Sequence, residues 1–589
     1  MGDIDENIDV NLSEKPSEVL WKVNQTPPLC TCILLGLQHY LAMFVATLSI
    51  PLVLSPHLCM DDDIVGQAKL VGTLFFTCGI ITTVQVVFGV RLPIIQAGTF
   101  ALLSPTMAYL SLPHMKCPRR IVASGNISEI SLNGTDIIRG SIEHQNLWQG
   151  RLSEIQGSLM VVACIEIVFG LSGAVGYLLK YIGPLSISPT IALLGLSLFQ
   201  PASNFGAKHW PTCIVTMVLI LIFSLYLSRF AVPLPTYNRS KSRCSVKRTK
   251  IFNMFPVLIA MCLSWLLCWI LTMSDTLPNE ARTDAKLQVI YDSPWFRLPW
   301  PFQWGAPKVK LPAVLGLMAG ILATTVESVG DYYACARLAG APPPPPSAVN
   351  RGILIEGIGS FFDGILGTGN GTTSTSINVG VVGLTRVGSR SVVLVSAFLM
   401  SFLGVFCKFG AIFVTIPEPV VGGAFFMLFG MIFAVGISSL KTVDLNSPRN
   451  LGIFGFSFFF GMAVPQWVKA NPHAIDTGSP TADSALTVLI STSMFVGGVI
   501  GFFLDNTVPG SKKERGLLPQ SEEEIQNDVS SIYDLPFNIG KLSRYFRYIP
   551  ICPAFEGFNR KRHRVTSNHT TSENFKETTE FVNISNEQL

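Results

Sequence analysis

Apolar stretches of about 20 residues recur along this chain from Cys30 to Leu504, and each is long enough to cross a lipid bilayer as a helix. Only 14% of the 589 residues are charged, against about 25% in a soluble domain, and the mean hydropathy is +0.45. Backbone polar groups must be paired inside hydrocarbon, which favours helices in such stretches. The sequence therefore predicts an all-α polytopic membrane protein, and the net charge of +4 is no indication of nucleic-acid binding.

The apolar stretches predict about 14 membrane spans, with boundaries uncertain by a few residues. The spans are expected near residues 31–54, 67–90, 95–112, 157–178, 184–200, 211–230, 251–272, 311–332, 348–366, 371–386, 391–414, 419–440, 449–465 and 485–504. They divide the chain into an N-terminal tail (1–27), a membrane domain (28–510) and a C-terminal tail (511–589). Both tails are predicted to be cytoplasmic, because basic residues then concentrate in the interior loops, above all at Arg239–Lys250.

The long loop after the third span then lies outside the membrane. It carries two glycosylation sequons, which begin at Asn126 and Asn133. Sequons also begin at Asn568 and Asn583, but these positions are predicted to lie inside and to stay unmodified. Cys59 and Cys117 fall in exterior loops and are candidates for a disulfide, which the sequence alone does not decide.

Spans 3 and 10 are both short and interrupted by residues that break helices. Pro93, Gly98 and Pro105 punctuate the first, and the second is rich in glycine and β-branched residues. The two occupy the third position of two halves of about seven spans, which indicates a 7+7 inverted repeat with a binding site near the membrane midplane. The alternative is two ordinary kinked helices.

Glu327 and Asp331 are the acidic residues that stand out, because they lie one turn apart on one face of an apolar span. Carboxylates at membrane depth are costly and usually face a cavity or an ion path. Two nearby anions repel, so either one is protonated or a cation lies between them. The alternative for Asp331 is that it reaches the interior surface beside Arg337.

Several long motifs, in matching order over most of the membrane domain, resemble the nucleobase–ascorbate transporter family and its sodium-coupled animal branch. They are Gly36–Leu41, Leu92–Gln96, Glu327–Arg337, Ala341–Pro346, Gly367–Gly371, Asn378–Gly380 with Thr385 and Arg386, and Asp505–Gly510. The resemblance implies a core of spans 1–4 and 8–11 (about 31–178 and 311–414) and a gate of spans 5–7 and 12–14 (about 184–272 and 419–504). It also implies an elevator-like movement of the core, a homodimer in the plasma membrane, Na⁺ as coupling ion and no other cofactor.

The resemblance places a small polar substrate between the breaks of spans 3 and 10. It assigns Glu327 to substrate N–H or O–H groups and Asp331 to Na⁺. The hydroxyls of Ser374 and Ser376 are further candidate ligands for Na⁺, because this hard cation prefers oxygen. Ser374, Thr375 and Ser376 have a second interpretation, as caps of the following half-helix. The remaining substrate-binding candidates are Gln38, His39, Thr99, Phe100, Ile377 and Asn378.

These candidates have specific expected roles. His39 would hydrogen-bond to span 8 or to the substrate, unless it is a satisfied packing residue. Thr99 and Phe100 would supply a backbone N–H and an aromatic face, with lipid-facing filler as the alternative for Phe100. A buried Asn378 must be hydrogen-bonded.

Position 377 departs from the family. Nucleobase carriers have Gln or Glu there and ascorbate carriers have Pro, whereas this chain has Ile377. The segments His39–Phe44 and Gln96–Phe100 look more like nucleobase carriers. The prediction is import of a nucleobase-like substrate, with L-ascorbate as the alternative and another small polar metabolite or organic anion as a minor one.

Other function classes are less well supported. No Walker A, HExxH or nucleophile-elbow motif is present, so the sequence predicts no enzyme. An ion channel and an anion exchanger of similar repeat architecture remain as alternatives, although an anion exchanger gives no reason for Glu327 and Asp331 together. The proline run Pro342–Pro346 is interpreted as a stiff connector rather than a binding motif.

Overall fold

The structure is a computed structural model that describes residues 19–118, 120–121, 137–138, 140–238, 243–471, 474–511, 514–516 and 530–535. The helices of the N-terminal half are α1 Leu29–Leu58, α2 Ile64–Val87, α3 Phe100–Leu110, α4 Ile142–Ser172, α5 Ala174–Tyr181, α6 Pro184–Ser197, α7 Phe199–Gly206, α8 Trp210–Leu221, α9 Ile251–Met254, α10 Pro256–Met273 and α11 Gln288–Asp292. The helices that follow are α12 Leu311–Leu338, α13 Pro346–Leu366, α14 Ser376–Thr385, α15 Arg390–Val405, α16 Cys407–Val414, α17 Glu418–Ser438, α18 Pro448–Ala470, α19 Pro480–Ser491, α20 Ser493–Thr507 and α21 Ser530–Tyr533.

The described residues also form six short strands. They are β1 Gln96–Gly98, β2 Arg120–Ile121, β3 Ile137–Ile138, β4 Val232–Asn238, β5 Arg243–Thr249 and β6 Thr372–Ser374. They form three two-stranded sheets, β1–β6, β2–β3 and β4–β5. The chain is mostly helical, as the sequence predicts, and these strands are an addition to that prediction. The β1–β6 pair matters most because it connects the two interrupted spans.

The described helices confirm a multi-pass membrane protein. Eight helices are long and apolar enough to cross a membrane, and up to ten segments qualify if each of two bent pairs is one span. The bends measure 81° between α15 and α16 and 77° between α19 and α20. Every predicted span overlaps a helix, but the helical parts of spans 3 and 10 are only α3 and α14. The arrangement of about 14 spans in a 7+7 repeat stays a prediction.

The helices pack in two groups. In the first group α2 packs on α15, α4 on α13, and α12 on α3 and α4, while α1 lies against α15. In the second group α17 packs on α6, α7 and α8, and α20 packs on α6 and α18. We call these the first and second bundles. The first contains α1–α4 and α12–α16, and the second contains α6–α8, α10 and α17–α20.

Glycines allow close approach inside the first bundle. A methyl group at Gly170 of α4 would lie 2.5 Å from the backbone nitrogen of Leu354 in α13, and one at Gly357 would lie 2.8 Å from the nitrogen of Ile167. Neither distance can accommodate a side chain, so both positions require glycine. Small residues commonly let helices meet this closely in membranes, where dispersion contacts replace the hydrophobic effect.

Cys59 and Cys117 form a disulfide in the structure. Cys59 ends α1, and its carbonyl oxygen lies 2.7 Å from Nε2 of His144 in α4. The pairing joins the end of α1 to the loop that follows α3. The four sequon asparagines, Asn126, Asn133, Asn568 and Asn583, lie outside the described residues.

The predicted orientation is tested by glycosylation in a eukaryotic host. Endoglycosidase should shift the gel mobility of the wild-type chain but not that of the double variant Asn126→Gln, Asn133→Gln, because only the exterior loop meets the glycosylation machinery. A matched double variant at Asn568 and Asn583 should shift like the wild type. A glycan at Asn568 would contradict a cytoplasmic C-terminus.

Candidate functional site

A short β ribbon joins the two interrupted spans. Strands β1 and β6 run antiparallel, with Gln96 opposite Ser374 and Gly98 opposite Thr372. Helix α3 begins two residues after β1, and α14 begins two residues after β6. The two half-helices therefore leave from opposite ends of the ribbon, with their N-termini next to it. Helix N-termini carry unpaired N–H groups and a partial positive charge, which suit an anionic or carbonyl-bearing ligand.

The two half-helices are capped differently. The Thr99 side chain accepts a hydrogen bond from the Ala101 nitrogen at 3.2 Å and so caps α3. Thr375 stands at the N-cap of α14 but makes no side-chain capping bond. Ser374 and Ser376 also direct their hydroxyls elsewhere, so the capping interpretation of these residues is wrong. The first amides of α14 consequently have no side-chain cap.

Glu356 of α13 is the main polar anchor of the ribbon, and the sequence analysis did not identify it. Its side chain is fully buried. Its carboxylate oxygens lie within hydrogen-bond distance of hydroxyl, amide and backbone donors on three elements, α12, β1 and β6. These are Ser328 Oγ (2.6 Å), Tyr332 Oη (2.7 Å), Ser374 Oγ (2.5 Å) and N (3.2 Å), Thr373 Oγ1 (3.2 Å) and Gln96 Nε2 (3.3 Å).

Asp363 supports the other end of the ribbon in the same way. It is fully buried and follows Glu356 by two turns on one face of α13, and it accepts a 2.8 Å hydrogen bond from Thr372 Oγ1. Both carboxylates therefore hold β6 against α13. Acidic residues inside an apolar span were the available signal for both, since such residues rarely lack a role.

Asp331 and Ser376, both predicted to bind Na⁺, are in direct contact. Ser376 Oγ donates to Asp331 Oδ1 at 2.8 Å, and Asp331 is 7% exposed. Its Oδ2 is buried and has no hydrogen-bond partner among the described residues. Asp331 therefore does not reach the surface beside Arg337, which is itself exposed, and that alternative is wrong. A buried carboxylate oxygen without a donor fits a hard cation such as Na⁺.

Ser374 is placed differently from Ser376. It is fully buried, donates to Glu356 and accepts from Gln96 Nε2 at 2.8 Å. The structure thus brings Ser376, but not Ser374, into hydrogen-bond contact with Asp331. The role of Ser374 as an ion ligand stays a prediction.

Glu327 is half-buried, one turn before Asp331 on α12. Within the described part of the chain no hydrogen-bond donor contacts its carboxylate, unlike that of Glu356 or Asp331. Glu356 and Asp331 both lie close enough to interact with it electrostatically. Among the described residues, the Glu327 carboxylate therefore differs from that of Glu356 in having no hydrogen-bond donor.

His39 and Asn378 form a direct contact between α1 and α14. Asn378 Nδ2 lies 2.9 Å from the His39 carbonyl oxygen and 3.2 Å from Nδ1 of its ring. His39 therefore contacts span 10. Its described hydrogen bonds do not include the expected one to span 8. Within the described residues, the buried Oδ1 of Asn378 and Nε2 of the neighbouring Gln38 have no partner.

Thr99 and Phe100 connect the ribbon to both bundles. The Thr99 nitrogen donates to the Gly371 carbonyl at 3.3 Å, so the expectation that its N–H is available to a ligand is wrong. Its carbonyl accepts from Asn370 Nδ2 at 2.9 Å. The half-buried Phe100 ring lies 5.5 Å from that of Phe429 in α17, edge to face. Phe100 therefore packs where the first bundle meets the second.

Open space adjoins the same helices. A Cβ atom added at Gly330 of α12 or at Gly380 of α14 would have no atom within 4 Å. Gly330 lies between Glu327 and Asp331, and Gly380 lies one turn after Ile377, whose side chain is 38% exposed. Among the described residues, a side chain could therefore be added at either glycine without contacting its neighbours.

Comparison with known proteins gives concordant results. A sequence model of the permease family, Xan_ur_permease, matches residues 31–470. The chain is 47% identical to solute carrier family 23 member 1 of Mus musculus over 562 residues, which cover 93% of this chain and 91% of that protein. It is 44% identical to the human member 2 over 577 residues, covering 96% and 87% of the two chains. Nucleobase-ascorbate transporter 1 of Arabidopsis thaliana is 33% identical over 556 residues, covering 91% and 99%.

Among solved structures, the transmembrane domain of the cyanobacterial bicarbonate transporter BicA covers 80% of this chain at 15% identity and a TM-score of 0.41. The family assignment depends on the sequence matches, which extend over almost the whole chain and include the motifs around the ribbon. The chain belongs to the nucleobase–ascorbate transporter family, solute carrier family 23.

Proposed function

We propose that this chain is a secondary active transporter that imports a nucleobase-like substrate in symport with Na⁺. The substrate would lie beside the β1–β6 ribbon, between Glu327 and the start of α14. The observation that carries the proposal is the Glu327 carboxylate, which is half-buried and has no hydrogen-bond donor within the described chain. Other acidic side chains of the first bundle, Glu356 and Asp363, already bind the ribbon.

The groups around Glu327 suit a flat ring with polar edges. Its carboxylate can accept substrate N–H groups in charge-assisted hydrogen bonds. The amides at the start of α14 can donate to a substrate carbonyl, since no side chain caps them. Phe100 offers an aromatic ring at the bundle interface. A uracil or purine ring presents both kinds of polar group.

L-ascorbate is the second candidate. It is an anion at neutral pH, and Glu327, Asp331 and Glu356 would repel it unless cations compensate. The α14 N-terminus and a bound Na⁺ would supply that compensation. The charges therefore favour binding of a neutral nucleobase when no cation is bound. Binding of ascorbate would depend strictly on a bound cation.

We propose that Na⁺ binds at Asp331, where Ser376 supplies one fixed contact and Oδ2 is available. A cation there would offset the repulsion from Glu327, so ion and substrate would stabilise each other. The protein contributes oxygen ligands, and Na⁺ contributes the positive charge that the acidic face lacks. The same negative charge can instead be offset by a proton.

We further propose that the first bundle moves relative to the second in an elevator-like step, as the core and gate of the family imply. The ribbon, Glu327 and Asp331 all belong to the first bundle, so they would move together. The family also implies a homodimer in the plasma membrane, with transport and no enzymatic reaction.

The direct test is uptake of labelled uracil, hypoxanthine and ascorbate by cells that express the chain, with Na⁺ and with an impermeant organic cation in its place. Saturable, Na⁺-dependent uptake that unlabelled substrate inhibits is expected, with nucleobases preferred. Preferred uptake of ascorbate would establish the second candidate. Ion conduction without competition by any of the three compounds would contradict both.

Asp331→Asn should weaken the apparent affinity for Na⁺ more than that for substrate. The change removes a charged oxygen ligand from a site where cation affinity depends on the number and charge of the oxygens. Ser376→Ala is the matched variant, because it removes the 2.8 Å contact but keeps the charge, and it should act in the same direction more weakly. An unchanged Na⁺ dependence of surface-expressed Asp331→Asn would exclude Asp331 from the ion site.

Ile377 should control substrate preference. Ile377→Glu is expected to raise nucleobase uptake relative to ascorbate, because a polar side chain discriminates ligand edges more strongly than an apolar one. Ile377→Pro should shift preference toward ascorbate or abolish transport, since proline also restricts Ser376 at the helix start. Equal relative uptake by both surface-expressed variants would show that position 377 does not face the substrate.

A further inference from the structure

A short C-terminal segment, residues 530–535, docks on the first bundle although it is separated from the last long helix by more than twenty residues. Tyr533 is its anchor, with 2% of its surface exposed. Its hydroxyl donates to the Pro342 carbonyl at 2.5 Å, and its ring joins an apolar cluster with Cys335, Ala336 and Ala348. The proline run is thus more than a connector, because its first carbonyl receives the tyrosine.

Two guanidinium groups hold the backbone of the segment. Arg351 Nη2 donates to the Tyr533 carbonyl at 2.7 Å, and Arg390 Nη2 donates to the Ile532 carbonyl at 2.5 Å. Arg351 is 5% exposed, and its Nε donates to the Gly89 carbonyl at 3.2 Å. Burying a guanidinium requires hydrogen-bond acceptors, and the segment supplies one to each arginine. This arrangement recognises a peptide through its carbonyl groups as well as its side chain.

The docking site lies next to both interrupted spans. Arg390 Nε donates to the Arg91 carbonyl at 2.6 Å, in the connection that leads from α2 into β1. Arg390 also begins α15, directly after the loop that follows α14. Its Nη1 contacts Asn24 Oδ1 at 2.9 Å, and the N-terminal segment pairs with the same loop through Trp21 and Val387. The Arg390 side chain therefore contacts both tails and the segments that lead into and out of the β1–β6 region.

We propose that this site, formed by Pro342, Arg351, Arg390 and the surrounding apolar residues, is a peptide-binding pocket, and that residues 530–535 are its resident ligand. The pocket recognises the dipeptide Ile532–Tyr533. It binds the two consecutive backbone carbonyls, buries the tyrosine ring and accepts a hydrogen bond from the tyrosine hydroxyl. The next residue, Asp534, lies close enough to Arg91 to interact with it electrostatically. A phosphate on the tyrosine would remove the O–H donor and would place two negative charges in an apolar site, so the pocket selects the unmodified tyrosine.

The tethered ligand gives the proposal a direct test in the full-length protein. A fluorescent synthetic peptide of residues 528–537 should bind the purified wild-type chain only weakly, because the resident segment occupies the pocket at an effective concentration on the order of millimolar. The full-length variant Tyr533→Ala, with its own anchor removed, should bind the peptide at least about tenfold more tightly than the wild type does. The control Tyr291→Ala changes a tyrosine that is 78% exposed, and it should behave as the wild type.

Peptide variants define the recognised groups. A peptide with Tyr533→Phe should bind Tyr533→Ala protein about two- to tenfold more weakly than the native peptide, because one hydrogen bond is lost. The phosphotyrosine peptide and a scrambled peptide should not bind. Equal binding of native and scrambled peptides, or no binding of the native peptide to folded Tyr533→Ala protein, would overturn the proposal.

A second measurement retains the native tyrosine and needs no transport, so it is independent of the proposed function. A site-specific protease sequence is inserted after Glu523 in the full chain, which carries an affinity tag at its N-terminus. After cleavage, the C-terminal fragment should stay bound to the immobilised protein and should be displaced by excess native peptide but not by the phosphotyrosine peptide. Immediate release of the fragment, or equal displacement by both peptides, would contradict the pocket.

Discussion

Glu356→Ala is expected to destabilise the folded transporter by about 3–5 kcal/mol, because several buried donors lose their common acceptor at once. The carboxylate of Glu356 has hydrogen-bond contacts on α12, β1 and β6, and the alanine leaves their buried donors without an acceptor. Each unsatisfied buried donor costs about 1–3 kcal/mol, and such losses are not additive within one network. The measurement is the free energy of unfolding in detergent, together with surface expression.

Two control variants separate this effect from a general loss of charge. Glu356→Gln keeps the shape and one acceptor oxygen, so it should be milder than the alanine. Glu418→Ala breaks a 2.9 Å ion pair with Lys286, in which the Glu418 side chain is 31% exposed and the Lys286 side chain 28%. Because the pair is partly exposed, its loss should lower the free energy of unfolding by no more than about 1 kcal/mol. If Glu356→Ala and Glu418→Ala unfold alike, Glu356 does not hold the ribbon.

The interruptions of the two spans could be predicted from the sequence because their causes are local. Proline and glycine near Pro93 and Gly98, and the glycine-rich Gly367–Gly371, cannot continue a regular helix. The pairing of β1 with β6 could not be predicted. It joins Gln96 to Ser374, which are separated by 278 residues, and its strands have only three residues each. Such short strands carry no hydrophobic alternation from which a partner or register can be inferred.

The acidic site was predicted in part. Glu327 and Asp331 stand alone in an apolar span, which makes them candidates from the sequence, whereas Glu356 and Asp363 lie in a helix that also carries Asn350 and Arg351. The sequence gives no partner for Glu356 and Asp363, whose carboxylates bind the ribbon in the structure. Membrane depth alone does not separate the carboxylates that bind the ribbon from those that do not. The hydrogen-bond donors around each carboxylate depend on how the helices pack, and that requires coordinates.

The contacts of His39 and of the two tails could not be predicted from the sequence either. A histidine in an apolar helix has several possible partners, and its bond to Asn378 depends on how α1 packs on α14. The C-terminal tail is polar overall, so its composition did not reveal a docking segment. Tyr533 is buried because it packs against apolar residues of the first bundle. The sequence around Tyr533 does not indicate which residues it contacts.

Glu327→Gln is expected to reduce substrate affinity about tenfold or more while leaving the fold intact. The carboxylate has no hydrogen-bond donor within the described chain, so its loss should not disturb the packing as the loss of Glu356 does. Charge-assisted hydrogen bonds are about twice as strong as neutral ones, and losing one costs about 1.5–3 kcal/mol. Substrate dissociation constants of purified protein, measured with and without Na⁺, report the loss directly.

The same variant distinguishes the two substrate candidates. Removing a negative charge from the acidic face should weaken binding of a nucleobase, which donates N–H groups, but should relieve repulsion of an anionic ascorbate. For ascorbate the affinity should therefore fall less, and the Na⁺ requirement should relax. Asp331→Asn provides the matched control, because it removes the same charge one turn away and should act mainly on Na⁺. Near-normal binding of every substrate by Glu327→Gln would show that Glu327 does not contact the substrate, and the substrate site would then have to lie at the uncapped start of α14 and at Phe100 alone.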